Sequence, residues 1–330
     1  MKRTFLMLNL ILVAAMVLSA CASPAAAPTS APEISATATS PAPTGEAPTT
    51  APSGEITLGL ALSTLNNPFF VTLRDGAQKE ADAEGVTLIV ADGQNDPAKQ
   101  ASQIEDFISK NVSAILLNPT DANAVVPAVE KANAANIPVL TIDRSAAGGQ
   151  IVSHIASDNV AGGKMAADFL CEAIGGKGNV VELQGIAGTS AARDRGQGFD
   201  DEMAAKCPDA PIVVQRPADF DRAKGNSVFT DILTAQPEIA GVFAQNDEMV
   251  LGAIQAAEAA NRTGIVFVGF DAIDDAIQAI KDGKLAATIA QQPSEMGVLG
   301  VQTATRSLNG EQVESFIPVP LSLVTKDTVP

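Results

Sequence analysis

Charged, amide and aromatic side chains recur in this sequence directly after short apolar runs. The set comprises Asn67, Phe69, Phe70, Asp143, Arg144, Arg195, Phe220, Asn246, Asp271 and Gln291, with Ser63 close by. Carboxylates accept hydrogen bonds, guanidinium groups donate them, amides do both, and phenylalanine rings offer flat apolar faces. A monosaccharide needs this combination, because its hydroxyls donate and accept hydrogen bonds while its ring C–H groups form apolar patches. The residue types therefore favour a small sugar as ligand.

The adjacent phenylalanines Phe69 and Phe70 stand out, because the chain has only 12 phenylalanines and neither tryptophan nor tyrosine. They follow an Asn-Asn-Pro turn in the stretch TLNNPFFVTL, residues 64–73. Two interpretations stay open at this point. Either the rings form a wall of a sugar pocket, with the turn presenting Asn67 beside them, or they anchor the first helix in the core.

Short β-rich runs alternate with segments of helical period from Glu55 onward. The strand-like runs are 56–62, 86–91, 114–117, 138–142 and 153–156, followed by 179–184, 212–216, 241–245, 265–270 and 286–290. Continuous apolar strands that alternate with helices predict parallel sheets covered on both faces. Two sets of five strands predict an α/β protein with two doubly wound, Rossmann-like domains of about 100 residues each.

Local signals place several helices between these strands. An N-cap followed by a first-turn proline predicts a helix over 97–110. Asp121 is expected to cap a segment that buries Val125, Val126 and Val129. Because ligands bind at the carboxyl ends of the strands in such sheets, the polar and aromatic side chains after the strands are expected to meet in one crevice.

The first 21 residues predict an export signal rather than a part of the fold. A positive start, an apolar run and small residues before Cys21 are typical of such a segment. The tetrapeptide at 18–21 resembles the bacterial lipobox, so we expect residues 1–21 to be a signal peptide and Cys21 to be lipidated; an ordinary cleaved signal is the alternative. Residues 22–54 hold mostly Ala, Pro, Ser and Thr, which predicts a disordered tether. The folded body is therefore expected outside the cytoplasm, anchored to the cell membrane, at the cell surface or in the periplasm.

The net charge bears on the possible binding partners, and the cysteines bear on a possible disulfide. The 330 residues include 21 Lys and Arg against 38 Asp and Glu, a formal charge of −17, which argues against nucleic acid as a partner. Cys171 and Cys207 each lie near the end of a predicted helix in an expected oxidising compartment. A disulfide between them and two separate thiols both remain open.

Longer stretches of the sequence carry a family resemblance. They include STLNNPFF (63–70), LLNPTD (116–121), SHIASDN (153–159), ELQGIAGTSAARDRG (182–196), PADFDR (217–222), VFAQNDEM (242–249), VGFD (268–271) and DGKLAATIAQ (282–291). In these stretches the chain resembles the bacterial ribose-binding proteins, which are the substrate-binding components of ABC sugar importers. The resemblance runs from about Glu55 to about Lys326.

The resemblance implies the type I periplasmic binding protein fold, with two lobes joined by a three-segment hinge. The N-terminal lobe would comprise residues 55–157 and 292–320, and the C-terminal lobe residues 158–291 and 321–330. D-ribose would bind between the lobes, with Phe70 and Phe220 on opposite faces of its ring. The implied contacts are Ser63, Asn67, Phe69, Phe70, Asp143 and Arg144 from the first lobe, Arg195, Phe220, Asn246 and Asp271 from the second, and Gln291 from the hinge.

The same resemblance implies a monomer that delivers its sugar to an ABC transporter permease. It implies no catalytic residue, no cofactor and no metal. A binding protein for another monosaccharide, such as allose, xylose, galactose or a quorum-sensing furanose, is the main alternative.

Two other classes of protein fit the sequence less well. An enzyme would use Asp143 and Asp271 as general acid and base, but the single histidine, His154, lies in an apolar strand. The GGKG motif at 175–178 precedes a strand, whereas a phosphate loop follows one. A sugar-responsive repressor has a similar body but begins with a helix-turn-helix, whereas this chain begins with the predicted export signal.

Overall fold

The computed structural model of the chain describes residues 55–236 and 238–329. These residues form two six-stranded sheets, each with its own helices. The predicted signal peptide 1–21, the lipidation site Cys21 and the predicted tether 22–54 lie outside the described residues.

The first sheet is parallel throughout. Its strands are β1 Thr57–Leu62, β2 Thr87–Asp92, β3 Ala114–Leu117, β4 Val139–Ile142, β5 His154–Ala156 and β11 Phe316–Pro318, in the order β11-β5-β4-β3-β1-β2. Its helices are α1 Pro68–Glu84, α2 Pro97–Ser109, α3 Val126–Ala134 and α9 Pro293–Leu308. We call this unit the first lobe.

The second sheet has the same layout with one antiparallel edge. Its strands are β6 Val180–Gln184, β7 Ile212–Pro217, β8 Gly241–Ala244, β9 Val266–Asp271, β10 Ala287–Ala290 and β12 Ser322–Thr325, in the order β12-β10-β9-β8-β6-β7, with β12 antiparallel to β10. Its helices are α4 Asn159–Ala173, α5 Ser190–Lys206, α6 Arg222–Ala235, α7 Asp247–Ala259 and α8 Asp274–Lys281. We call this unit the second lobe.

The chain passes between the lobes three times. The connections run from β5 to α4, from β10 to α9 and from β11 to β12. The predicted lobe boundaries, after residues 157, 291 and 320, fall within these connections. Every residue of β3, β4 and β8 is buried, because helices cover both faces of each sheet, and this accounts for the continuous apolar runs in the sequence.

The predicted elements agree with the structure except at a few points. Each of the ten predicted strands is present with both ends within one residue of the expected position. The expectation of only five strands in each sheet is wrong, because the short strands β11 and β12 each add an edge. Most of their residues are exposed or only half-buried, so neither strand forms an apolar run. The helix after Asp121 begins at Val126 without a side-chain cap, because the Asp121 carboxylate accepts from the nearby amides of Asn123 and Ala124 instead.

Two helices of the second lobe approach each other at glycines. A Cβ atom at Gly163 of α4 would lie 2.2 Å from the carbonyl oxygen of Arg195, and one at Gly198 of α5 would lie 2.1 Å from the carbonyl oxygen of Val160. Only glycine permits this spacing, since real Cβ contacts are not so short. The close packing of α4 and α5 fixes the helix that carries Arg195.

The same helix pair is also joined covalently. Cys171 of α4 and Cys207, which follows α5, form a disulfide with their Cα atoms 5.9 Å apart. The structure therefore agrees with a disulfide between the two cysteines and not with two separate thiols. Within the described residues, no helix combines the length and apolar character needed to cross a bilayer.

Candidate ligand-binding site

A small cavity lies between the carboxyl ends of the two sheets. It is lined by Asn67, Phe69, Phe70, Asp143, Arg144, Ala191, Arg195, Phe220, Asn246, Asp271 and Gln291. The lining therefore combines charged, amide and aromatic side chains from both lobes.

The cavity wall differs from the predicted set at two positions. Ser63 is fully buried but does not line the cavity, and its backbone N–H donates to Oδ1 of Asn118 at 3.2 Å. Ala191, the second residue of α5, lines the cavity although it was not predicted. A methyl side chain carries no functional atom, so nothing in the sequence marks it as a site residue. The structure brings all the other predicted residues together.

Asn67 sets the geometry of the first wall. Its Oδ1 accepts from the backbone N–H of Phe69 at 2.9 Å, which caps α1 immediately before Pro68. Phe69 and Phe70 therefore stand in the first turn, with their rings edge to face and 5.1 Å between centroids. Both rings line the cavity and both belong to the core of the first lobe. Anchoring the first helix in the core therefore does not keep the rings from lining the cavity, and the sugar-pocket interpretation stays a prediction.

Asp143 and Arg144 supply charge from the end of β4. Asp143 has a left-handed backbone, with φ of +63°, and its Oδ2 accepts from Nδ2 of Asn118 at 3.0 Å. The same oxygen lies 3.7 Å from Nε of Arg144. The guanidinium carbon of Arg144 lies 5.1 Å from the ring centroid of Phe70 and 5.2 Å from that of Phe220. The rings from the two lobes therefore face one guanidinium group.

Arg195 is held on several sides by the second lobe. Its Nε donates to Oδ1 of Asn159 at 2.8 Å, and its Nη1 donates to the carbonyl oxygen of Gln245 at 2.7 Å. The guanidinium carbon lies 3.8 Å from the ring centroid of Phe270. Nη1 also lies 3.8 Å from Oδ1 of Asp271. The orientation of Arg195 is therefore set before any ligand contributes to it.

Phe220 rests against the glycine-rich loop after β6. A Cβ atom at Gly185 would lie 2.0 Å from Cζ of the Phe220 ring, so the ring needs the glycine. Phe220 has φ of +58°, and its carbonyl oxygen accepts from Nδ2 of Asn246 at 3.3 Å. Oδ1 of Asn246 in turn accepts from the N–H of Met249, which caps α7.

Two lining residues keep polar atoms without a protein partner among the described residues. Nε2 of Gln291 donates to Oδ1 of Asp271 at 2.8 Å, whereas its Oε1 accepts from no residue. Nε of Arg144 has no hydrogen-bond acceptor. Both side chains are buried, and a buried polar group without a partner destabilises the protein. A hydroxyl group can accept from an N–H group such as Nε or donate to an amide oxygen such as Oε1.

Burial shifts the pKa values of the charged residues in the cavity wall. Burial raises the pKa of Asp271 to about 7, although the nearby Arg195 guanidinium favours its ionised form. Burial lowers the pKa of Arg144 to about 10, with Asp143 opposing the shift. Burial lowers the pKa of Arg195 as well. Such groups remain charged only where hydrogen bonds replace their lost hydration.

Two hydrogen bonds join loops of the two lobes. The N–H of Ala122 in the first lobe donates to the carbonyl oxygen of Gly188 in the second at 2.9 Å. The N–H of Ser145 donates to Oγ of Ser190 at 2.9 Å. These bonds join loops that follow strands of different sheets, so they hold the two lobes together.

Comparison with known protein families shows which family has this architecture. Residues 58–312 match the model of the periplasmic binding protein domain. The chain belongs to the periplasmic binding proteins. This is a family of solute-binding proteins rather than enzymes, which confirms the expectation that the chain is not an enzyme.

Two periplasmic binding proteins with similar sequences are both ribose import binding proteins RbsB. That of Escherichia coli strain K12 is 53% identical over 270 residues, which cover 82% of this chain and 90% of that protein. That of Bacillus subtilis strain 168 is 47% identical over 272 residues, which cover 82% and 88%.

Solved structures of periplasmic binding proteins have the same fold. An ABC transporter solute-binding protein from Bacillus halodurans C-125, with bound myo-inositol, superposes with a TM-score of 0.80 at 33% identity and covers 85% of this chain and 98% of its own. One from Actinobacillus succinogenes 130z, with bound D-allose, gives a TM-score of 0.78 at 34% identity and covers 83% and 99%.

Proposed function

We propose that this protein captures D-ribose between its two lobes, outside the cytoplasm, and delivers it to the permease of an ABC transporter. The observation that carries the proposal is the cavity itself, in which buried guanidinium, carboxylate and amide groups from both lobes surround a small space between phenylalanine rings. The names of the RbsB relatives, at 53% and 47% identity, support ribose over other sugars.

Capture would proceed by closure of the lobes predicted from the sequence, 55–157 with 292–320 and 158–291 with 321–330. A sugar in the cleft touches residues of both lobes only when the cleft is closed, and only this difference in contacts can shift the equilibrium toward closure. Hydrogen bonds to charged groups add about 1.5–3 kcal/mol each. A few of them reach the roughly 8 kcal/mol that corresponds to micromolar affinity.

Discrimination would follow from the size and polarity of the cavity. A hexose carries an additional hydroxymethyl group for which this small cavity leaves little room. A sugar with one inverted hydroxyl would leave a buried carboxylate or guanidinium group unpaired, which weakens binding more than the loss of an apolar contact does.

We further propose that Cys21 carries a lipid and holds the body near the permease through the segment 22–54. The proposal rests on the lipobox-like sequence at 18–21. Radiolabelled palmitate should enter the wild-type protein in growing cells and should not enter Cys21→Ala.

A thermal-shift screen tests the ligand assignment. D-ribose should raise the melting temperature of the purified protein, because a ligand that binds only the folded state stabilises it by mass action. D-xylose, D-galactose and D-allose should have smaller effects. Arg195→Ala should remove most of the ribose effect, since it leaves the Asp271 carboxylate without its guanidinium partner.

The outcomes of the screen separate the alternatives. A larger shift with D-allose or D-xylose than with D-ribose would replace ribose by that sugar within the same mechanism. Protein that no sugar stabilises would overturn the proposal of sugar capture altogether.

A further inference from the structure

Asp247 is a fully buried carboxylate that does not line the cavity. It is the first residue of α7 and directly follows the cavity residue Asn246. Its Oδ1 accepts from the Thr288 hydroxyl at 2.7 Å, and its Oδ2 accepts from the backbone N–H of Ile273 at 3.0 Å. Sugar capture as described above assigns Asp247 no role.

One partner of Asp247, Ile273, belongs to the turn that follows Asp271, and the other, Thr288, lies in the neighbouring strand β10. Asp271 has a backbone φ of +122° and Ala272 has a backbone φ of +61°. Residues other than glycine rarely adopt such angles. The N–H of Ala272 donates to Oγ1 of Thr288 at 3.3 Å. Asp247 and Thr288 thus bind the amides of both residues after Asp271. Strained backbone persists only where its surroundings fix it in this way.

The strand that leads into this turn is shaped around the same carboxylate. A Cβ atom at Gly269 of β9 would lie 2.2 Å from Oδ1 of Asp247 and 3.0 Å from Cγ1 of Val250. Any larger residue at this position would displace the carboxylate. Three separate elements, α7, β9 and β10, therefore meet at Asp247.

The turn decides where the Asp271 carboxylate points. Its Oδ1 accepts from Nε2 of Gln291 at 2.8 Å and lies 3.8 Å from Nη1 of Arg195. A change of φ at Asp271 or Ala272 would swing this carboxylate away from the cavity. The polar wall of the second lobe therefore depends on the amides that Asp247 and Thr288 hold.

We propose that Asp247 is a positioning residue for the sugar: with Thr288 it fixes the strained turn that aims Asp271 into the cavity. The inference rests on the proposed function, since Asp271 is taken as a sugar contact. Asp247 itself touches no ligand. Its effect on affinity passes through the backbone of Ala272 and Ile273.

Matched substitutions at Thr288 give the sharpest test. Thr288→Val keeps the shape of the side chain and removes the hydroxyl, whereas Thr288→Ser keeps the hydroxyl. Titration calorimetry should show D-ribose affinity at least tenfold weaker for Thr288→Val and for Asp247→Asn. Thr288→Ser should remain within about threefold of wild type, a rescue that a general packing role for the methyl group would not produce.

A stability control separates positioning from general damage. The variant Cys171→Ser with Cys207→Ser loses the disulfide of the same lobe, which lies outside the cavity wall. It should melt at a lower temperature and bind D-ribose within about twofold of wild type. If Asp247→Asn fails to fold, the two Thr288 variants decide the question alone.

Each result bears on one proposal. Wild-type protein that binds D-ribose, together with a Thr288→Val variant of unchanged affinity, overturns the role of Asp247 and leaves the proposed function intact. An equal loss of affinity in the disulfide variant and in Thr288→Val does the same. Wild-type protein that binds no sugar overturns the proposed function, and the inference fails with it.

Discussion

Several residues that line the cavity have backbone angles that most side chains avoid. Asp143, Phe220 and Asp271 have φ of +63°, +58° and +122°, and each lies at the end of a strand or within three residues after it. Such conformations destabilise a protein by about 1–3 kcal/mol each and are found preferentially at functional sites. These backbone angles turn the side chain away from the sheet and toward the crevice. The same turn of the backbone thus produces the strain and places the side chain in the site.

The chemical character of these cavity residues was predictable from the sequence. The residues that pack around them and hold them in place were not. Residue type and the strand-end rule pointed to Asp143 and Asp271. Gly185 and Asp247 matter because of atoms that lie far away in sequence, and Ala191 carries no functional group. A single sequence contains no signal for a glycine that is needed only because an aromatic ring lies on it.

The contact between Gly185 and Phe220 predicts the effect of adding a single methyl group at residue 185. Gly185→Ala should push the Phe220 ring toward the cavity, since the new Cβ would lie 2.0 Å from Cζ. We expect D-ribose affinity to fall at least tenfold with little change in the circular dichroism spectrum. Gly148→Ala is the matched control, because its Cβ would meet only the Val126 side chain, at 3.2 Å. Wild-type affinity in Gly185→Ala would show that the ring does not shape the site.

The elements of the fold follow closely from the sequence. Strands buried on both faces, such as β3, β4 and β8, leave continuous apolar runs. All ten predicted strands were located to within one residue. The short strands β11 and β12 escaped prediction because they lie beside a connection between the lobes and are largely exposed or half-buried. Their pairing comes from the partner strand rather than from their own composition.

The pair of helices α4 and α5 supports a prediction about stability. Replacing Cys171 and Cys207 by serine should lower the free energy of unfolding of the second lobe by about 2–4 kcal/mol, because the unfolded chain loses its cross-link across 36 residues. Urea titration followed by circular dichroism measures the loss. Unchanged unfolding in the double variant would mean that helix packing at Gly163 and Gly198 alone fixes the pair.

At the scale of the whole molecule, the two lobes enclose a concentration of buried charge. The cavity wall combines Asp143 and Asp271 with Arg144 and Arg195. Hydrogen bonds between loops join the lobes independently of the cavity residues. The sequence indicated two lobes and their shared crevice. It could not indicate the closed arrangement, because closure depends on loops that meet only in three dimensions.

The buried carboxylates also decide how stability changes with pH. Burial raises the pKa of Asp271 to about 7 and raises the pKa values of Asp247, Glu182 and Asp200 above their usual range. An acid with a raised pKa in the folded state holds a proton that the unfolded chain has already released. Its stabilising contribution is complete below about pH 4 and is lost as the pH rises through the folded pKa. Burial lowers the pKa of His154, the single histidine of the chain, so His154 makes stability rise with pH instead of fall.

We therefore expect the ligand-free protein to melt at a higher temperature at pH 5 than at pH 7.5, at constant ionic strength. Differential scanning calorimetry across this range measures the effect. Asp271→Asn should flatten the decline between pH 5 and pH 7.5, because an amide does not titrate. D-ribose should also reduce it, since sugar hydroxyls that donate to Asp271 favour the ionised form. A melting temperature that rises steadily from pH 5 to pH 7.5 in the ligand-free protein would show that the buried carboxylates are already ionised at the lower pH.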